Sequence, residues 1–377
     1  MINSIKLKNF KSIKEYDFRL RNLNVAMGMN GMGKSTFIQS LLLLRQSNDL
    51  KDGALTLNDD FTKIGRGKDA FYQYNKEDEM SFSITFSNEL NYNFIFGYLS
   101  DADFLTTKNK VDLSSDFFNQ SLFTSNFQYL NASRLDPRVI HEKSHSKVIN
   151  ERNIGIHGEY VVHFLNQYGK EDISFDNLIH NKSEKFLIEG VETVDKTLIH
   201  QVNNWMGEIS PGVKLDTPEI PNSDNIILDF QFKHANAVPT NNFRPTNVGF
   251  GLSYALPIVT SLLSAQPGQL IIIENPESHI HPRGQAELGR LISLTAMNDV
   301  QVIIETHSDH ILNGIRVAVK ENQIESNKSV VFYFEKNVSE TEQFSKITDI
   351  EIDINGELSN YPKNLIDEWT TQLIKLV

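Results

Sequence analysis

Gly28–Thr36 reads GMNGMGKST, which fits the spacing G-x-x-x-x-G-K-[ST]. Glycines let a backbone curl around an anion and aim amide hydrogens inward. A lysine then supplies positive charge and a hydroxyl supplies a ligand for a divalent cation. The chemistry expected is a grip on polyphosphate. Gly28, Asn30, Gly31, Met32 and Gly33 would form the wrapping backbone. The Lys34 ammonium would lie between the outer phosphates, Ser35 would ligate magnesium, and Thr36 would meet the inner phosphate. The alternative is a tight glycine turn with an incidental lysine. Context argues against it: an apolar run ending in NVAM precedes the loop and STFIQSLLLL follows, a strand before and a helix after. The start of that helix turns its positive end toward the loop.

A second group of residues lies far downstream. Glu274 closes the greasy run Leu270–Ile273. An apolar strand ending in an acid places the carboxylate at the C-terminal edge of a parallel sheet, where open α/β folds bind ligands. It would hold a magnesium-bound water. Asn275, Pro276 and Glu277 come next. ETHSDHI follows the next expected strand, and His307 there is placed to sense a terminal phosphate, supported by Thr306 or Ser308. In TNVGFGL, Gly249 and Gly251 stand before an amphipathic helix, again an anion-binding helix start. One chain needs one phosphate loop, so a second such start suggests a site completed by another subunit.

The elements that must carry these residues are legible as alternation. SIKLKNF and RLRNLNVAMG read as strands, and STFIQSLLLLRQS as a buried helix. EMSFSITFSNELNYNFIFGYL reads as an antiparallel hairpin. FQYLNAS is a strand, with helices expected near 160–168 and 194–206. NIILDFQFKHA is a strand. A helix over 251–263, the strand 270–274, a helix over 283–296, the strand VQVIIET, a helix over 309–320 and the strand SVVFYFEK follow. The tail reads as a strand, an Asn-Gly turn and a closing helix. Alternating strands and helices imply an α/β fold with a mostly parallel sheet flanked by helices, accompanied by an antiparallel β lobe and a mixed, partly helical insertion. The expected division is 1–103, 104–223 for the insertion, 224–336, and a small C-terminal domain at 337–377.

Composition sets bounds. The chain has 377 residues, 40% hydrophobic and 22% charged, as in ordinary globular proteins. It has no cysteine, so disulfides, thiolate metal sites and cysteine nucleophiles are excluded. Neither a signal peptide nor a run of membrane-spanning length is present, and a cytoplasmic location is expected. The net charge of −12 disfavours sequence-independent binding of nucleic acid. A local patch from Lys6, Lys8, Lys11, Lys14, Arg19 and Arg21 leaves DNA or RNA open as a partner, although alternate lysines on a strand are commonly a solvated face.

The phosphate loop, glycine-bearing helix start, acid strand and His strand occur in the order used by ABC-type ATPases of the SMC, DNA-repair and OLD (overcoming lysogenization defect) kind, which the chain resembles. IKLKNFKSI is similar to that group's first strand. ITDIEIDINGELSNYP is similar to a short C-terminal domain in a bacterial group of predicted ATPases with unassigned function. The resemblance covers most of the chain outside 104–223. It implies ATP and Mg2+ as cofactors and a homodimer, or higher oligomer, with nucleotide held between the phosphate loop of one subunit and the signature helix of the other. Asn247 would stand at the signature serine, Gly249 at its glycine, Glu274 at the magnesium acid, Asn275 at the catalytic base and His307 at the switch histidine. The family's magnesium-contacting glutamine has no clear counterpart; Gln73 and Gln128 are the candidates. Departures are NVGFG for a Ser-Gly-Gly signature, Glu for the usual Asp, and an amide at the base.

An amide takes no proton from water near neutral pH, but it orients water. General-base assistance is worth roughly a hundredfold to ten-thousandfold, so slow turnover is expected, with Glu277 as the alternative base. Such a protein suits a sensor or switch; the resemblance implies a separate effector partner, as in bacterial anti-phage systems. Competing expectations are an ATP-locked scaffold that never hydrolyses, a transporter ATPase, and a metal hydrolase built from Glu277, His279, His281, His307 and His310. Arg134, Asp136 and Arg138, after FQYLNAS, are expected either to reach phosphates or DNA or to form loop salt bridges.

Overall fold

The computed structural model describes residues 1–188, 191–233, 238–362, 365 and 373–376. In chain order, the elements that matter here begin with strands β1 (Ile2–Phe10), β2 (Ile13–Arg19) and β3 (Leu23–Gly28), then helix α1 (Lys34–Gln46). Strands β4 (Glu79–Phe86), β5 (Asn91–Gly97) and β6 (Phe127–Leu130) follow. Next come α2 (Val161–Tyr168), α3 (Leu198–Ile209) and α4 (Phe250–Leu263). The remainder is β7 (Leu270–Glu274), α5 (Pro282–Ala296), β8 (Gln301–Thr306), α6 (Asp309–Lys320), β9 (Ser329–Val338) and β10 (Gln343–Ile350).

The chain forms two compact units. The first comprises Met1–Thr124, Ser329–Ile352 and the described residues from Leu358 onward; the second comprises Ser125–Lys328 and Asp353–Glu357. This grouping cuts the chain at other places than the four-part division expected from sequence. Within 104–223, β6 is a sheet strand of the second unit rather than part of a separate insertion. The stretch RLRNLNVAMG, expected as one strand, is broken: β2 ends at Arg19 and β3 begins at Leu23. NIILDFQFKHA holds two short strands, Asn225–Ile227 and Asp229–Phe232, and its last residues fall outside the described ones, as does most of the expected closing helix.

In the first unit, β2-β1-β4-β5 form an antiparallel sheet, the expected β lobe. β3 pairs parallel with β9, and β9 pairs antiparallel with β10. All six residues of β3 are buried. A strand covered on both faces is why its sequence is continuously apolar rather than alternating. The stretch Leu41–Leu44 of α1 is likewise fully buried, and Phe37 stacks on Phe18 with centroids 4.3 Å apart. Each large ring removed from water contributes a few kcal/mol, so the helix is fixed firmly behind the loop it starts from.

In the second unit, β7 lies between β8 and β6, all parallel. Ile271, Ile272 and Ile273 are fully buried. The register pairs Glu274 with Glu305, so both strands deliver their C-terminal ends, and the loops beyond them, to one edge. Helices α5 and α6 pack so tightly that a Cβ on Gly314 would lie 2.1 Å from the Ala286 carbonyl oxygen. Among the described residues no helix is long and apolar enough to cross a membrane.

Candidate functional site

The phosphate loop leaves β3 at Gly28, whose φ is 143°. A Cβ there would lie 2.4 Å from the Phe334 carbonyl oxygen on β9, so glycine is required both by angle and by space. Gly31 and Gly33 also have positive φ, 76° and 101°. The loop is therefore a curl of alternating peptide directions, the geometry that gathers amide hydrogens around an anion. Gly33 caps α1 without a side-chain hydrogen bond, and the first turn of α1 carries no acid. Lys34 is 3% exposed, and its Nζ donates to the carbonyls of Gly28 and Met29, each at 2.9 Å. Those carbonyls hold the ammonium over the loop where phosphate oxygens would otherwise receive it. Asn30, Gly31, Met32 and Ser35 line the same curl, and the Thr36 hydroxyl faces Ser12 at 3.4 Å.

In the second unit, Glu274 ends β7 with its carboxylate built into a cage. Oε1 accepts the Tyr129 hydroxyl at 2.9 Å, and Oε2 accepts the Ala132 N–H at 3.4 Å. Burial raises its pKa, while Tyr129, Ala132 and Arg134 pull the other way. Burial pushes the Tyr129 phenol up, so it remains a donor. Arg134 is 3% exposed. Its Nη1 donates to the Glu274 carbonyl at 2.8 Å and the Asn131 carbonyl at 3.1 Å, and Nη2 donates to the Asn275 carbonyl at 2.5 Å. Its Cζ sits 5.6 Å from the centre of the Tyr254 ring. Burial lowers its pKa to about 10, which still leaves it charged at neutral pH. A planar fork spans several carbonyls at once, which a lysine cannot do.

Asn275 turns the chain in the left-handed region, φ 45°, which asparagine tolerates better than most residues. Its N–H donates to the Glu305 carbonyl at 2.8 Å. Its Oδ1 is shut off from solvent and has no hydrogen-bond partner among the described residues. A buried acceptor left unmade costs about 1–3 kcal/mol, so such an atom invites a water or ligand donor. Glu277 is committed elsewhere: Oε2 accepts the Thr306 hydroxyl at 2.7 Å and Oε1 accepts the His307 N–H at 2.8 Å. His307 itself is exposed at the tip of β8. Ser308 caps α6, accepting the Ile311 N–H at 3.1 Å and donating to Gln285 Oε1 at 2.5 Å.

The glycine-bearing helix start belongs to the same unit. Gly249 caps α4, and a Cβ on it would meet nothing within 4 Å. Asn247 ends the short turn Pro245–Asn247 just before it. Gly251 is different: a Cβ there would lie 2.5 Å from the His279 carbonyl oxygen, which ties the helix start to the turn after β7. Phe250 is 51% exposed.

The histidines have separate occupations. His279 packs on the Tyr254 ring at 4.7 Å, and His281 caps α5 by accepting the Arg283 N–H at 3.3 Å. His310 lies 3.6 Å from Asp309. Among the described residues no three His, Cys, Asp or Glu side chains gather as a metal site. Gln128 is buried and holds backbone: Nε2 donates to the Tyr129 and Gly155 carbonyls, each at 2.9 Å, and Oε1 accepts the Ile154 N–H at 3.1 Å. Gln73 is exposed in the first unit.

Sequence reasoning grouped Glu274, Asn275, Glu277 and His307, and the structure gathers these at one sheet edge. Tyr129 carries no sequence signal for its contact with Glu274, and Arg134, expected to reach phosphates, DNA or a loop salt bridge, is found clamped on carbonyls. The one available signal was an arginine soon after a buried strand.

A phosphate loop on a buried parallel strand, with a strand-end acid cage and a glycine-bearing helix start on a second parallel set, defines an ABC-type P-loop ATPase of the SMC and OLD kind. Residues 23–313 match the family described as "AAA domain, putative AbiEii toxin, Type IV TA system", and the chain belongs to that family. Residues 324–376 match a second family described as a protein of unknown function. The chain is similar to the DNA replication and repair protein RecF of Francisella tularensis subsp. tularensis (strain WY96-3418), 21% identical over 295 residues, covering 72% of this chain and 79% of the relative. RecF of subsp. novicida (strain U112) matches to the same extent: 21% identity over 295 residues. The fold is that of an Smc head solved bound to the C-winged helix domain of ScpA, with TM-score 0.55, 13% identity and coverage of 93% of this chain and 98% of that one. An Smc head with an extended coiled coil, bound to the C-terminal domain of ScpA derived from Pyrococcus furiosus, gives TM-score 0.51 and 12% identity, with coverage of 100% and 99%.

Proposed function

We propose that the protein binds ATP with magnesium, dimerises around it and hydrolyses it slowly, acting as a switch for a separate effector protein. The observation that carries this is the loop 28–36. Its glycine angles, its helix end with no side-chain cap and its buried Lys34 fit a polyphosphate. Ser35 would ligate the magnesium ion, which when bound neutralises phosphate charge and polarises water. Tyr129 and Arg134 keep the Glu274 carboxylate and its carbonyl in place.

Slow turnover is supported by Asn275 and Glu277 together. The unpartnered Oδ1 of Asn275 is an acceptor that can orient a water but take no proton from it. Glu277, the alternative base, already spends both oxygens on Thr306 and His307. Losing general-base assistance lengthens the ATP-bound state by roughly a hundredfold or more. Dimerisation is supported by Gly249, which no contact within its own chain requires, and by exposed Phe250 beside it. A role in DNA maintenance is supported by RecF's printed name, and one in anti-phage defence by the resemblance to OLD-type ATPases.

The test measures mass in solution and ATP turnover, with and without magnesium, for wild type and Lys34→Ala. Wild type should shift to twice its mass with ATP and magnesium, and Lys34→Ala should not. No heat on titrating ATP into wild type sinks the proposal. A dimer with no turnover at all selects the ATP-locked scaffold instead.

A further inference from the structure

The segment of unknown function, residues 324–376, contains β9 and β10, and both touch the phosphate loop within the first unit. β9 lies beneath Gly28, with Phe334 as its register partner. β10 contributes Ser345, which is 8% exposed. Ser345 Oγ donates to the Met32 carbonyl at 2.6 Å and lies 2.8 Å from Ser12 Oγ. Ser12 Oγ is 3.4 Å from Thr36 Oγ1, and the Ser345 N–H donates to the Ser12 carbonyl at 2.7 Å. A hydroxyl has one proton to give. Ser345 Oγ stands within donating distance of both acceptors, and the Met32 carbonyl is the nearer. The two serines also fill the space behind Gly33, where a Cβ would lie 2.2 Å from Ser345 Oγ and 2.5 Å from Ser12 Oγ.

Peptide planarity gives this a consequence. In a trans peptide the carbonyl and the following N–H point in opposite directions. Drawing the Met32 carbonyl back to Ser345 turns the Gly33 N–H the other way, toward the mouth of the loop. An amide fixed beforehand costs an anion less to bind. We propose that Ser345 is a positioning residue of the phosphate loop, and that through it the C-terminal segment sets the loop's affinity for nucleotide phosphates. The affinity part rests on the nucleotide proposal above; the brace itself does not. β10 is in turn tied to the β lobe, by Lys14 to Glu342 at 2.7 Å and by the Tyr16 hydroxyl to Asp349 at 2.5 Å. A partner that pulls on this segment therefore acts on the nucleotide grip.

The experiment compares Ser345→Ala, Ser12→Ala and, as a control on the same strand, Lys346→Ala. Backbone order parameters of Gly31–Lys34 are followed by NMR without nucleotide, and ATP–magnesium affinity by calorimetry. Ser345→Ala should lower the Gly33 order parameter from about 0.85 to below about 0.6 and weaken ATP about threefold to tenfold, the worth of one hydrogen bond. Ser12→Ala should act in the same direction, and Lys346→Ala should leave both unchanged at a similar melting temperature. An unchanged order parameter at Gly33 in both serine variants overturns the brace, as does an equal change in Lys346→Ala. A lowered order parameter with unaltered ATP affinity overturns the affinity claim alone. No ATP binding by wild type overturns the nucleotide proposal and the affinity claim with it, while the order parameter still decides the brace.

Discussion

The Glu277 carboxylate grips the His307 turn: Oε1 accepts the His307 N–H at 2.8 Å while Oε2 accepts the Thr306 hydroxyl at 2.7 Å. The segment after β7 is thus tied to the segment after β8 inside the second unit. Each oxygen thus has one of its acceptor sites occupied by protein. Glu277→Gln should cost about 1–2 kcal/mol of stability, through loss of charge-assisted bonds, and leave turnover within about threefold. Asn275→Glu should raise turnover about tenfold to a hundredfold. Steady-state phosphate release decides both; a hundredfold fall in Glu277→Gln at unchanged melting temperature would make Glu277 the base after all.

Gly249 and Gly251 differ in what surrounds them: open space at the first, the His279 backbone at the second. Gly251→Ala drives a methyl to 2.5 Å from the His279 carbonyl oxygen and should destabilise by about 1–3 kcal/mol. Gly249→Ala meets nothing within 4 Å and should melt within about 0.5 kcal/mol of wild type. The bulkier Gly249→Glu should fold equally well yet fail to form the ATP-dependent dimer in light-scattering mass measurements. Normal dimerisation of Gly249→Glu would put the interface elsewhere.

Arg134 holds three carbonyls and lies against a buried acid. Arg134→Ala strips those acceptors of their donor and leaves the Glu274 charge with less compensation. The expected loss is about 3–5 kcal/mol by urea denaturation. Arg134→Lys should recover only part, because a point charge cannot serve the Asn131, Glu274 and Asn275 carbonyls together. A loss below about 1 kcal/mol in Arg134→Ala would show the clamp to be dispensable.

His141 gives the protein an acid limit. Burial pushes its pKa down to about 4 from 6.5, with the Arg138 charge adding to this and the Arg138 carbonyl opposing it. The folded state therefore binds fewer protons than the unfolded state between those values. Stability from this group is complete above about pH 6.5 and is lost as pH falls toward 4. The loss approaches about 3 kcal/mol at 1.36 kcal/mol per unit. Denaturation midpoints at pH 7 and pH 4.5 should differ less in His141→Gln than in wild type; equal differences would remove His141 as the cause.

The sequence by itself determined what is contiguous. The loop 28–36, the acid ending β7, the tip of β8 and the helix starts each lie within one short stretch. Glycine spacing and the switch from apolar run to polar loop report such features directly, because a strand buried on both faces must be apolar until it emerges. Helix α6 and strand β7 have the expected bounds for the same reason. Only the tertiary structure decided what holds those stretches in shape. Tyr129 reaches Glu274 across 145 positions, Arg134 reaches its carbonyl across 140, and Ser345 reaches Met32 across 313. A hydrogen bond has a reach of about 3 Å in space and none along the chain. Its partner is therefore chosen by packing, which leaves no periodic trace in a single sequence. The same holds for Glu277, whose bonds to Thr306 and His307 span 29 and 30 positions.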